Sequence, residues 1–209
     1  MAITTYAELK TAVADWLDRS DLAAKTDDFI DLAEASMNRD LRIREMEASV
    51  TFSLTTGTHD YSIDTNIPGL LEIRSVSLAT TPESTLSYFP PHVLKKLWEV
   101  DANGVVRGYS LSGDNFRVAP APDASNSVNC TVEYFKEIVP LDATNTQNDM
   151  LLDHPDIYLY GALLHAAPYL LEDARVPMWQ AMYDKAVASA LEGDKRGQHS
   201  NPQRDRRTG

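Results

Sequence analysis

PDIYLYGALLHAAPYLL, residues 155–171, decides how the chain must be built. From Ile157 to Leu171 apolar side chains face almost every direction, and His165 is the one strongly polar exception. A helix without a polar face needs neighbours on several sides. Fifteen residues fall short of the ~20 that span a bilayer, so those neighbours are expected to be protein. Asp153 or His154 is placed to cap this helix, Pro155 suits its first turn, and Pro168 is expected to kink it. Val176, Trp179, Tyr183, Val187 and Leu191 then mark a final amphipathic helix that Gly193 is expected to end.

Helical partners stand at the other end of the chain. Thr5 and Glu8 make a capping-box pattern ahead of Tyr6, Leu9, Val13, Trp16 and Leu17. Thr26 opens a second helix whose apolar stripe is Phe29, Ala33, Met37 and Leu41, with Asp31, Glu34, Asn38 and Arg42 on the opposite face. Between the two helical parts the period changes to two. Val50, Phe52 and Leu54 alternate with Ser49, Thr51 and Ser53, and Tyr61 and Ile63 continue the pattern after a turn at Gly57. Leu71 and Ile73 are out of phase with Val76 and Leu78, which predicts a bulge near Arg74 and Ser75. Pro90 and Pro91 open a short helix through Trp98. Residues 112–115 read as a hairpin loop, and Val128 to Tyr134 as another strand.

The expected fold class is therefore α+β, with an N-terminal helical pair and a C-terminal helical pair forming a helical bundle and an antiparallel β unit of five or six strands inserted between them. The expected parts are residues 1–46, 47–141, 142–193 and a basic, flexible tail at 194–209.

Composition excludes several function classes. The chain has 209 residues and a formal net charge of −12, which opposes broad phosphate neutralisation. Its tail reverses that sign, with Lys195, Arg196, Arg204, Arg206 and Arg207 against Asp194 and Asp205. Cys130 is the single cysteine, so no disulfide framework or multi-cysteine metal site is possible within the chain. No apolar run approaches membrane-spanning length, and Met1 to Thr5 leads into a polar helix instead of a signal peptide, which predicts a protein made in the cytoplasm.

Catalytic patterns are absent. There is no G-x-G-x-x-G motif and no Walker-type lysine loop. His59, His92, His154, His165 and His199 include no i, i+4 pair, and His154 and His165 stand roughly 16 Å apart on a helix. Cys130 shares its strand phase with Val128 and Val132 and reads as packing. No catalytic residue, cofactor or metal is expected. Trp16, Tyr158, Leu163, His165, Trp179 and Tyr183 read as core or subunit packing.

The ordering of these features resembles the head-to-tail adaptor (connector or head-completion) proteins of tailed, particularly short-tailed, bacteriophages. The resemblance rests on Thr5, Tyr6, Leu9 and Trp16, on YSLSGDNFRVAPAPD at 109–123, and on Val132, Tyr134, Phe135, Pro140 and Leu141. It continues from Asn148 to Leu152 and through Pro155, Asp156, Tyr158, Tyr160, Gly161, Leu163, Leu170, Trp179 and Tyr183, and is most specific from Pro155 to Leu191. It implies a structural virion protein at the head–tail interface, assembled in the host cytoplasm. Such a protein forms a ring, typically of twelve copies, beneath the portal protein, extends the channel for double-stranded DNA without binding it specifically, and gives the tail nozzle or hub its platform. Within that resemblance the basic tail, Lys195, Arg196, Arg204, Arg206 and Arg207, is expected to dock on the portal. Competing readings are a stopper or tail terminator, a small hydrolase using His165 or Cys130, and a DNA-binding protein using the basic tail.

Overall fold

The computed structural model describes residues 3–98, 103–125, 128–170 and 174–199, without the side chains of 20, 23 and 196–199. In chain order the elements are α1 (Tyr6–Leu17), α2 (Thr26–Asp40), β1 (Glu47–Ser53), β2 (Asp60–Ser62), α3 (Ile63–Asn66), β3 (Leu70–Leu78), β4 (Ser84–Thr85), β5 (Ser87–Tyr88) and α4 (Pro91–Leu97). There follow β6 (Asn103–Gly104), β7 (Gly108–Ser112), β8 (Asn115–Ala119), β9 (Ala121–Pro122), β10 (Asn129–Lys136), α5 (Asp149–Asp153), α6 (Pro155–Ala166) and α7 (Val176–His199). They divide into two compact units, one made of residues 1–46 and 138–209, the other of 47–137.

In the first unit α6 packs against α1, α2 and α7. Ile157, Tyr158, Ala162, Leu163 and Ala166 are fully buried on it. Gly161 lets the helices close in: a Cβ there would sit 3.3 Å from the Ala33 Cβ and 3.4 Å from the Tyr183 ring. The capping box of α1 forms as expected. Thr5 Oγ1 accepts from the Glu8 N–H and the Glu8 carboxylate accepts from the Thr5 N–H.

Two expectations about these helices are corrected. The apolar run does not continue as a kinked helix through Pro168. Helix α6 stops at Ala166, and residues 167–169 form a 3-10 turn. A proline inside the helix would lose its N–H bond and push against the carbonyl four residues earlier, and the tighter turn avoids both. Nor does Gly193 end the last helix, which runs on to His199. A mid-helix glycine costs only about 1 kcal/mol relative to alanine. Asp194 offsets part of that cost by accepting the Arg44 N–H at 2.7 Å.

Glu34 is the third departure. The spacing places it on the polar face of α2, yet it is 4% exposed. Its Oε1 accepts the Leu141 N–H at 3.0 Å and the Tyr158 hydroxyl at 3.0 Å. Tyr158 Oη in turn accepts from Asn148 Nδ2 at 2.7 Å, while Asn148 Oδ1 accepts the Leu151 N–H and caps α5. Asn38 Oδ1 accepts the Ile138 N–H at 2.8 Å. Two side chains of α2 thus pin residues 138–141 by their backbone, where an unpaired buried N–H would cost about 1–3 kcal/mol.

The second unit holds two four-stranded sheets, ordered β1-β10-β3-β4 and β2-β8-β7-β5, and the two-stranded β6-β9. Val76, Leu78, Cys130 and Val132 from the first sheet join Tyr61, Tyr109, Phe116 and Val118 from the second in one core. The β structure is more extensive than five or six antiparallel strands, because β5 pairs β7 and β6 pairs β9 in parallel. Ile63 does not prolong the second strand; it opens α3. The bulge is where the phase slip put it. Glu133 opposes Ser75 and Tyr134 opposes Ile73, which leaves Arg74 as the extra residue. Residues 112–115 close the β7–β8 hairpin, with Gly113 at φ +57.

Burial, more than the nearby Asp31 and Asp142 charges, pushes the Glu34 carboxyl up to about 7, although the Leu141 and Tyr158 bonds pull it down. A raised carboxyl stabilises the fold fully below its unfolded pKa, and that contribution fades as pH climbs from about 4.5 to 7. Glu34→Gln keeps an acceptor for both bonds and removes the titration. Urea unfolding should therefore show the variant gaining about 2 kcal/mol on the wild type between pH 5 and pH 8. Parallel pH dependences would contradict this account of Glu34.

Candidate functional site

The basic cluster expected at 194–209 is only partly within the described residues. Lys195 is exposed on the last turns of α7. Arg196 belongs to the same helix, but its side chain lies outside the described residues, as do Arg204, Arg206 and Arg207. Asp194, at the start of this segment, is held on the Arg44 main chain. The stretch 194–199 is therefore the end of a 24-residue helix, not a loose tail.

The expected packing residues separate by burial. Tyr158, Leu163 and Trp179 are at most 1% exposed. Tyr183 is half-buried against Gly161. His165 is half-buried, and burial together with the Arg39 charge holds its pKa below the usual value, so it is neutral near pH 7. Trp16 is 42% exposed and meets the Tyr160 ring edge-on at 5.8 Å. Met178 and Met182, two neighbours one turn apart on α7, are 48% and 43% exposed.

Arg175 ties three of these features together, and nothing in the local sequence pattern announced it. Its guanidinium lies 5.1 Å from the Trp179 ring centroid. It donates to the Trp16 carbonyl at 2.9 Å and to the Leu17 carbonyl at 3.3 Å. Those carbonyls end α1, where a helix carries partial negative charge and favours a cation.

Catalytic chemistry finds no support among the described residues. No group of three His, Cys, Asp or Glu side chains is placed to hold a metal ion. Cys130 is fully buried, and that burial pushes its thiol up to about 12, which removes the thiolate a nucleophile needs. An open groove of about 460 Å³ crosses the first sheet beside Arg74. Its charged side chains are engaged within it: Arg74 pairs with Glu47 and lies over the Phe135 ring, and Glu133 accepts from Ser75 at 2.8 Å. No described helix is long and apolar enough to cross a membrane.

Replacing Arg175 tests its bridging role. Arg175→Ala should lower unfolding stability by about 1–2 kcal/mol, and Arg175→Lys should recover only part, because an ammonium cannot stack on Trp179 and reach two carbonyls together. Equal stability of all three chains in denaturant would remove Arg175 from this role.

No curated protein matches the chain. The family model of the SU10 adaptor protein does match it, over residues 4–207, nearly end to end. The matched span includes both helical ends and the whole β-rich unit. With no catalytic constellation in the described residues, and packing, caps and surface charge as its conspicuous features, the chain belongs to the SU10 adaptor protein family, the structural adaptors of bacteriophage virions.

Proposed function

We propose that this chain is the adaptor that docks as a ring beneath the portal protein, extends the DNA channel and carries the tail nozzle or hub. The family match is the observation that carries this reading. In it, residues 1–46 and 142–193 act as a helical bundle that frames the ring, with twelve copies as the expected number. The β-rich part, 47–141, presents loops to the tail machinery. Assembly takes place in the host cytoplasm and the product stays at the head–tail interface of the virion. The net charge of −12 suits a conduit, since like charge keeps DNA phosphates from being captured in transit.

Docking on the portal falls to the basic C-terminal residues. Lys195 and Arg196 sit at the end of α7, and Arg204, Arg206 and Arg207 follow it. Guanidinium groups form paired bonds to carboxylates and are well suited to acidic partner surfaces. A segment that gains its partner only on the portal would also delay ring formation until the portal is present.

Light scattering tests both levels. The free protein is expected to join the portal ring with the portal's own stoichiometry, and failure to join would overturn the adaptor reading. Deleting residues 200–209 removes Arg204, Arg206 and Arg207, keeps α7 as described through His199, and should weaken portal binding roughly tenfold or more, with the loss shrinking as salt rises. Unchanged affinity would overturn the docking role of the basic segment and leave the ring reading standing.

A further inference from the structure

Strand β1 borders the first sheet and pairs only with β10 among the described residues. The register Leu54 N–H to Val128 C=O, carried along the ladder, turns the backbone groups of Ala48, Val50 and Phe52 toward β10. Those of Glu47, Ser49, Thr51 and Ser53 point out of the sheet. These four residues are exposed. The core-side row is also incomplete at this edge. Cys130 and Val132 on β10 are 0% exposed, whereas their cross-strand partners Phe52 and Val50 are only half-buried.

Natural edges are usually blunted with lysine, proline, a bulge or very short length. Strand β1 is seven residues long and reads Glu-Ala-Ser-Val-Thr-Phe-Ser. It contains no proline, glycine, lysine or bulge, and its one charge is at the first position.

We infer that β1 pairs antiparallel with β1 of a second copy, joining two four-stranded sheets into one of eight. The strand is complementary to itself in a single full-length register. With Val50 opposite Val50, the outward-pointing residues face one another: Ser49 meets Thr51 of the other copy and Glu47 meets Ser53. Both members of each such pair offer backbone donors and acceptors that have no backbone partner among the described residues. On the core side Ala48 meets Phe52, so small faces large and the half-buried row is covered. No like charges oppose each other. The hydroxyl ladder already present on the polar face, Thr51 to Thr131 at 2.9 Å and Ser53 to Asn129 at 2.7 Å, continues across the seam. Two seven-residue strands bury less than a standard interface, so a micromolar dimer of the free chain is the expected strength. Such a dimer shields the edge before other virion proteins are met.

Sedimentation of the full chain at about 0.2 mM, a concentration above that expected dissociation constant, reads the result. Wild type should reach twice the 23.2 kDa chain mass and dissociate on dilution. The double variant Ser49→Lys and Thr51→Lys opposes four lysines across the seam at exposed positions. It should stay at chain mass with unchanged circular dichroism and melting. A Val50→Cys variant in a Cys130→Ala background should form an intermolecular disulfide on mild oxidation, since residue 50 faces its own copy. Wild type at chain mass, a lysine variant that still dimerises, or no disulfide at position 50 would each overturn the pairing. Portal binding, measured separately, stands or falls without it.

Discussion

Helix α6 buries most of its surface, and the rest of the first unit is arranged around that fact. Its apolar side chains alone would let it slide or rotate among α1, α2 and α7, because dispersion and burial are not directional. Tyr158 removes the freedom. Its hydroxyl bridges Glu34 on α2 and Asn148 at the start of α5. A buried carboxylate is costly unless its oxygens are bonded. Glu34 therefore fixes the height of α6 against α2 and the path of residues 138–141 at once. Gly161 acts on the same contact by omission, letting Ala33 and Tyr183 close on the α6 backbone.

Much of this was readable because periodicity reports burial. The capping box at Thr5, the two N-terminal helices, the apolar run and the change to period two all carry short-range patterns. The bulge at Arg74 was legible for the same reason: a one-residue phase slip cannot be absorbed without an extra residue on one strand. The sheets themselves were less legible. Strand β1 pairs with β10, about eighty residues away, and two-residue strands such as β5 and β6 are too short to have a period. Their pairing is set by where the chain returns, which local composition does not encode.

The missed residues share that physics. Glu34 follows Ala33 and lies four after Ile30, which is fully buried. A stripe drawn strictly at i, i+4 leaves Ile30 and Glu34 out, although a helix gripped on two sides buries a wider arc. Ile30 was the available signal. Arg175 reaches carbonyls of Trp16 and Leu17, and Asp194 reaches the main chain of Arg44. Backbone carbonyls and N–H groups are present at every residue, so no pairing pattern in the sequence marks which of them a distant side chain will find.

The error at Gly193 changes how the basic residues are carried. A helix ending there would put all five on a free segment. Helix α7 instead continues to His199 and spans about 36 Å from Val176. Its penultimate turns are fixed at Asp194 on the Arg44 main chain, next to the turn that follows α2. Lys195 and Arg196 thus ride on the described helix of the first unit, while Arg204, Arg206 and Arg207 lie outside the described residues. A cation on a helix loses little entropy on contact, whereas each residue of a free segment must be ordered at a cost of about 1–2 kcal/mol. The same acid that looked like part of a loose tail is what anchors its base, and it gives the following residues a fixed point of departure.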